Sequence, residues 1–152
     1  MDTPARRRFI SVLAGLAAAP LLAGQKARAA IESLAPVVNN VTGGAPLREG
    51  RVKLEIPRLA DNGQSVPLKV SVESPLTAAD HVRSITLLSE RNPRPIMATF
   101  HLGPKAGRAE VATHVRLNST QRLLVVAQLS DGSFWSGSAE VEVTESACLD
   151  AS

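Results

Sequence analysis

The chain has 152 residues, with 17 Lys and Arg against 14 Asp and Glu, for a formal charge of +3. Aromatic residues are scarce, three Phe and one Trp, so the core must be built from Val, Leu, Ile and Ala, and no platform for stacking bases is available. Once an N-terminal segment is set aside, what remains suits one domain with a real core and is too short for two.

That segment reads as an export signal. Arg6 and Arg7, followed by Arg8, Phe9 and Ile10, fit the twin-arginine pattern. An apolar stretch from Val12 to Ala23 follows, broken by Gly15 and Pro20. It is shorter than the roughly 20 apolar residues that a membrane span needs. Ala27 and Ala29 place small residues at the two selective positions of a cleavage site. Residues 1–29 are therefore expected to be removed, leaving a periplasmic protein with no membrane attachment. They hold five of the basic residues and one acid, so the mature chain has 12 basic and 13 acidic residues, a formal charge of −1. The basic excess belongs to the signal, no basic stripe is expected, and nucleic acid is excluded as a partner.

Residues 30–38 predict a short helix, with Ile31, Leu34 and Ala35 on one face and Pro36 limiting its length. Asn39 to Gly50 reads as a loop, broken by Gly43, Gly44 and Pro46. From Val52 the period becomes two: Val52, Leu54 and Ile56 alternate with polar residues until Pro57. Asp61-Asn62-Gly63 is a turn signal, and Val66, Leu68, Val70 and Val72 mark the next strand. Residues 81–89 and 96–102 predict two more, separated by the turn at 92–95, with Phe100 and Leu102 on one side of the second. Gly103 to Gly107 reads as a hairpin loop. Along 108–117, Ala109, Val111, Thr113, Val115 and Leu117 share one face. Leu123–Leu129 is a nearly continuous apolar run, expected to be buried on both faces. Asp131-Gly132 is a two-residue hairpin turn, and Gly137 predicts a bulge in the last strand. The total is about seven strands with turn chemistry between them, which predicts an all-β, immunoglobulin-like β-sandwich with a short N-terminal helix. The expected divisions are the signal at 1–29, a helix and loop at 30–50, the sandwich at 51–144 and a tail at 145–152.

Little in this chain looks catalytic. His81, His101 and His114 fall on three different strands with no metal-ligand spacing, so no metal site or other cofactor is expected. Ser130 to Ser133 reads as a hairpin turn rather than a reactive serine. No nucleophile elbow, phosphate loop or paired-carboxylate arrangement is present. Of Phe134 and Trp135, the alternation puts one inside and one at the rim.

Cys148 is the single cysteine. In an exported protein it can form no internal disulfide, so it is an inert passenger, an intermolecular partner or a reactive group held out on a tail. Four extended residues from Thr144 to Cys148 reach about 13 Å. The tail carries Glu145 and Asp150 and no Lys or Arg, so any activation of the thiol must come from a partner's site.

A further pattern lies in the order of several short stretches. DNGQSVPLKVSVESPLT spans 61–77, and Asn92-Pro93-x-Pro95 is followed by Ala98-Thr99-Phe100-His101. Gly107 to Thr113, Arg116-Leu117, Thr120-Gln121 and Ser130-Asp131-Gly132 come after. Over roughly residues 50–148 this resembles the SoxY proteins of bacterial sulfur oxidation. The resemblance implies an immunoglobulin-like sandwich paired with a second sandwich subunit, SoxZ. It also implies a periplasmic carrier that is not itself an enzyme. Its C-terminal cysteine, here Cys148, would hold thiosulfate-derived sulfur covalently while partner enzymes load and unload it. The family tail is Gly-Gly-Cys-Gly-Gly, whereas this one reads Ser146-Ala147-Cys148-Leu149-Asp150-Ala151-Ser152. All four flanking glycines are replaced, and with them the conformational range they give a swinging arm. The alternative expectation is a non-catalytic interaction subunit pairing with a SoxZ-like partner, its cysteine incidental or used in an intersubunit disulfide.

Overall fold

The computed structural model describes residues 32–145. The helix α1 (Ala35–Thr42) is followed by β1 (Leu47–Glu49), β2 (Val52–Glu55), β3 (Leu59–Asn62), β4 (Val66–Val72) and β5 (Val82–Ser89). The chain continues through β6 (Ile96–His101), β7 (Glu110–Val115), β8 (Gln121–Leu129) and β9 (Phe134–Glu145). The larger sheet has the order β1-β9-β8-β5-β6, with β3 also paired to β9, and the smaller has the order β2-β4-β7. This is the expected all-β, immunoglobulin-like sandwich with a short helix, carrying two short strands that the sequence did not announce.

Those two strands, β1 and β3, each show no more than four residues of pattern, and both pair in parallel with β9. β1 lies along Phe134–Ser136 and β3 along Glu142–Glu145, while β2 between them belongs to the other sheet. The chain thus leaves β9, passes through the smaller sheet and returns. Gly137 sits in the gap, and a Cβ there would overlap the carbonyl oxygen of Val52 at the start of β2. The β8–β9 register runs without a shift past Gly137, so this glycine marks a close backbone approach and not the predicted bulge. The irregularities occur in β5, at Val82/Ser84 and at Leu87/Leu88.

The helix differs in position from its prediction. Pro36 stands in its first turn, where a missing N–H is no loss, so it starts the helix instead of limiting it. The helix runs on through Asn39 to Thr42, and Gly43 closes it. Leu34 and Val38 pack with Leu88, Leu124, Val126 and Phe134 on the outer face of the larger sheet. The inner faces of the two sheets meet over Val66, Leu68, Val70, Ile85, Leu87, Leu123, Val125 and Ala127. β8 is therefore covered on both sides, by the smaller sheet and by α1. That explains its unbroken apolar run, since alternation disappears when neither face is wet.

Residues 103–107 do not form a hairpin. β6 pairs with β5 in the larger sheet and β7 pairs with β4 in the smaller, so this segment crosses between sheets. The apolar faces still fall as expected: Ala109, Val115 and Leu117 are buried, and Phe100 and Leu102 pack against the core.

Candidate functional site

Cys148, the twin-arginine pair Arg6 and Arg7, and the cleavage-site residues Ala27 and Ala29 lie outside the described residues. What the structure describes is the base from which the C-terminal tail departs. β9 is held there from two sides. On one, β3 pairs in parallel with Leu59 opposite Glu142, Ala60 opposite Val143 and Asn62 opposite Glu145. The Thr144 hydroxyl donates to the Asp61 carbonyl at 2.7 Å, and the Glu142 N–H donates to the Arg58 carbonyl at 2.8 Å. On the other side the antiparallel ladder with β8 ends near Gln121 opposite Val141. Beyond it, the Thr120 hydroxyl replaces a backbone partner: it accepts from the Val143 N–H at 2.9 Å and faces the Val143 carbonyl at 3.4 Å.

Gly63 packs the base tight. A Cβ there would overlap the carbonyl oxygen of Leu117 and come within 3.1 Å of Val143 Cγ1. The Leu117 N–H donates to the Gly63 carbonyl at 2.8 Å, tying the end of β3 to the stretch after β7. That stretch is knotted in turn. Gln121, only 3% exposed, accepts from the buried Ser89 hydroxyl and, at 3.1 Å, from the Arg91 N–H. Its amide nitrogen donates to Asn92 Oδ1 at 3.0 Å and Asn118 Oδ1 at 3.2 Å. Asn118 donates back to the Arg91 carbonyl at 2.6 Å. Each polar atom of the buried amide is matched, which fixes the 118–121 loop that holds Val143.

A cleft of about 650 Å³ lies alongside, lined by Leu54, Ile56, Arg58, Thr120, Glu140 and Glu142 among others. Glu140 pairs with Arg122 at 3.5 Å. Two carboxylates against Arg58 make this cleft a poor host for an anion.

The other candidates are dispersed. His81 precedes β5 and shares a 3.1 Å hydrogen bond with the Thr77 carbonyl through Nδ1. His101 ends β6 and His114 stands exposed on β7. Among the described residues, no three His, Cys, Asp or Glu side chains group as metal ligands would. No helix among them is long and apolar enough to cross a membrane. Ser130 and Ser133 are turn residues: Ser130 donates to the Ala79 carbonyl, and both the hydroxyl and the N–H of Ser133 donate to Asp131. Those two bonds, the hydroxyl's first, hold the Asp131 carboxyl below its usual range. Phe134 is buried under α1, and Trp135 lies at the rim with the guanidinium groups of Arg48 and Arg51 at 5.6 and 5.5 Å from its ring. Thr144 carried no distinctive sequence signal, while Gly63 registered only as part of a turn and Thr120 only within a short motif, since the contacts through which all three act are distant in the chain.

Comparison with known proteins fits this architecture. The family model "Sulfur oxidation protein SoxY" matches residues 38–148. The structure of the sulfur carrier protein SoxY from Chlorobium limicola f thiosulfatophilum is similar at 26% identity and a TM-score of 0.62, covering 74% of this chain and 97% of that one. A superoxide reductase (neelaredoxin) from Ignicoccus hospitalis is similar at 22% identity and a TM-score of 0.55, over 62% of this chain and 80% of that one. The superoxide reductase from Nanoarchaeum equitans follows at 13% and 0.53, over 63% and 100%. At these identities the two reductases share the fold alone. No curated protein sequence matches the chain significantly. The order of motifs, the sandwich and a family match over most of the chain agree, and the chain belongs to the SoxY family of sulfur oxidation proteins.

Proposed function

We propose that this protein is a periplasmic sulfur carrier that holds thiosulfate-derived sulfur covalently on Cys148 while partner enzymes act on it. The observation that carries this reading is where the family match ends: at residue 148, on the single cysteine of the chain. The likeness to a sulfur carrier SoxY over nearly all of that protein supports the carrier role. The rigid base at Thr144 supports it physically, because a tail can present its thiol to a partner only from a fixed anchor.

The chemistry needs a thiolate and two partner reactions. Joining the Cys148 thiolate to the sulfane sulfur of thiosulfate forms an S–S bond and releases two electrons, which an oxidising partner must accept. Water attacking the terminal sulfonate sulfur then releases sulfate and leaves a persulfide on Cys148, with two protons released. With no second cysteine in the chain, no internal thiol can eject the cargo by exchange. A SoxZ-like subunit is the proposed pairing partner, and the twin-arginine signal the proposed export route.

The test is non-reducing intact-mass spectrometry of the protein isolated from its own periplasm under sulfur-oxidising growth. A reducible sulfur adduct mapping to Cys148, lost in Cys148→Ser, is the expected result. A free thiol, or only a disulfide to a partner subunit, would replace the carrier reading with that of a non-catalytic interaction subunit. The replaced tail glycines are the observation that keeps this second reading in view.

A further inference from the structure

Charge in this chain is segregated by position. From Arg91 to Asn118 the sequence carries five Lys and Arg (Arg91, Arg94, Lys105, Arg108, Arg116), two histidines and one acid, Glu110. Residues 32–90 and 119–145 together carry seven bases and eleven acids. A near-neutral total thus joins one stretch at +4 to a remainder at −4.

The fold sets the basic stretch on one open side. β6 ends the order of the larger sheet and β7 ends that of the smaller, so each has a single bonded neighbour. Between them runs an open groove of about 530 Å³, with Ile96, Met97, Ala98 and Val115 as its apolar lining and Arg94 and Arg116 toward one end. Ile96 is 41% exposed, one of two large hydrophobic residues left so open among those described. Lys105 and Arg108 stand on the connection between the two strands, at the other end. Among the described residues, Arg91, Arg94, Lys105 and Arg116 enter none of the ion pairs, whereas Glu110 is taken by Lys69 at 3.3 Å and Arg108 at 3.9 Å.

Cations beside an edge strand commonly serve to keep copies of a chain apart. That role explains the charges but not an apolar strip left bare between them. Open backbone donors and acceptors, an apolar floor and unpaired cations at both ends together fit an added strand bearing carboxylates. A second copy of this chain fits less well. Its acidic residues Asp61, Glu140 and Glu142 lie on β3 and β9, away from this groove, so the contact would be head-to-tail and not the self-complementary kind that most dimers use. Nucleic acid fits less well too, because the groove has no aromatic residue for bases to stack on.

We propose that the β6–β7 groove is a docking surface for an acidic, extended segment of a partner protein, which adds as a strand with its carboxylates at Arg94, Arg116 and Lys105. Asn118 lines the groove, and Thr120, two residues on, holds Val143 at the base of the tail. The groove is thus linked through the 118–121 loop to the strand from which the tail departs. The proposal goes beyond the carrier chemistry and requires no thiol.

The experiment uses the full chain with Cys148→Ser, so that thiol reactions cannot contribute. The probe is a fluorescein-labelled peptide of ten residues alternating Glu and Val, with its Lys-Val counterpart as control. Anisotropy should show binding of the acidic peptide alone, weakening as salt rises from about 20 to about 200 mM. R94E/R116E should weaken it by at least about tenfold, and Ile96→Asp should weaken it with every cation kept. R94Q/R116Q replaces the reversal if circular dichroism shows that the reversed pair has unfolded. NMR amide shifts should map to 96–101 and 110–115. No binding, equal binding of the lysine peptide, unchanged affinity in these variants, or shifts elsewhere would overturn the proposal. Tighter binding of a DNA oligonucleotide, or self-association through this face in sedimentation, would overturn it in favour of those occupants. Sulfur loading of Cys148 is read separately by mass in the unaltered chain, so either idea can fail without the other.

Discussion

Replacing Gly63 by alanine tests the tightness of the tail base. The new Cβ would overlap the Leu117 carbonyl oxygen, which is backbone and cannot rotate away, and would press Val143 Cγ1 at 3.1 Å. Forcing a methyl group into a packed site costs about 1–3 kcal/mol. If the strands part to admit it, the Leu117 N–H to Gly63 bond is lost at about 0.5–1.5 kcal/mol. Against this, alanine stiffens the unfolded chain, returning about 0.4–1 kcal/mol. The net destabilisation is about 1–3 kcal/mol, a sizeable part of the roughly 5–15 kcal/mol that holds a domain folded. In urea unfolding, with a slope of about 2 kcal/mol per molar, the midpoint should fall by about 0.5–1.5 M. Gly103→Ala is the control, since a Cβ there meets nothing within 4 Å. It should leave the midpoint unchanged or raise it slightly. A Gly63→Ala midpoint equal to that of the parent, or a Gly103→Ala loss of similar size, would refute the close-approach argument.

Gly137→Ala should destabilise by a similar amount and for the same reason, at the crossing of β2 over β9, and thermal melts against the same control would check it. Gln121→Ala strips acceptors from the buried Ser89 hydroxyl and the half-buried Arg91 N–H, at about 1–3 kcal/mol for the buried hydroxyl left unmatched, and urea titration should find that loss. Amide exchange in the same variant should quicken at Val143, whose bond to Thr120 depends on the 118–121 loop. The Asp131 carboxyl is held below its usual range by Ser133, so its contribution is complete above the ordinary carboxylate pKa and lost as pH falls through the lowered one. Asp131→Asn should therefore be less stable than the parent at pH 6 and should lose less on going from pH 5 to pH 2, as read from urea midpoints.

The sandwich was legible because its longer strands carry long-range information in local form. Val66 to Val72 alternates cleanly since one face is wet, and Leu123–Leu129 does not since α1 covers the other. Asp131-Gly132 announces a turn, but the loop is the three residues Ser130–Gly132 and not the predicted two: Leu129 donates to the Ser133 carbonyl, and only Gly132 takes a positive φ. What failed had a different cause in each case. β1 and β3 are too short for a period to register, and they exist because β9 offers them an edge. Pro36 breaks a helix in its interior but is welcome in its first turn, and residues alone do not say which turn it occupies. A glycine within a strand signals either a bulge or a close approach, and only the position of Val52 decides it for Gly137. At the site, Cys148 was conspicuous by being single, while Thr120 and Thr144 were not, because hydroxyls are common and their partners are 23 and 83 residues away. The basic groove was hidden by averaging: a count over residues 30–152 is near neutral, whereas a window over 91–118 is not.

The arrangement around β9 also has a mechanical meaning. The tail continues from a strand of twelve residues that lies between β8 on one side and β1 and β3 on the other. Its ladder bonds to β8 run across the direction of the chain, so a pull along the C-terminus loads them together in shear instead of opening them one at a time. A partner that grips the cysteine end and withdraws would draw on the whole sandwich for resistance. Unlike a tail hung from an outer strand, this one transmits force into the centre of the larger sheet without peeling it.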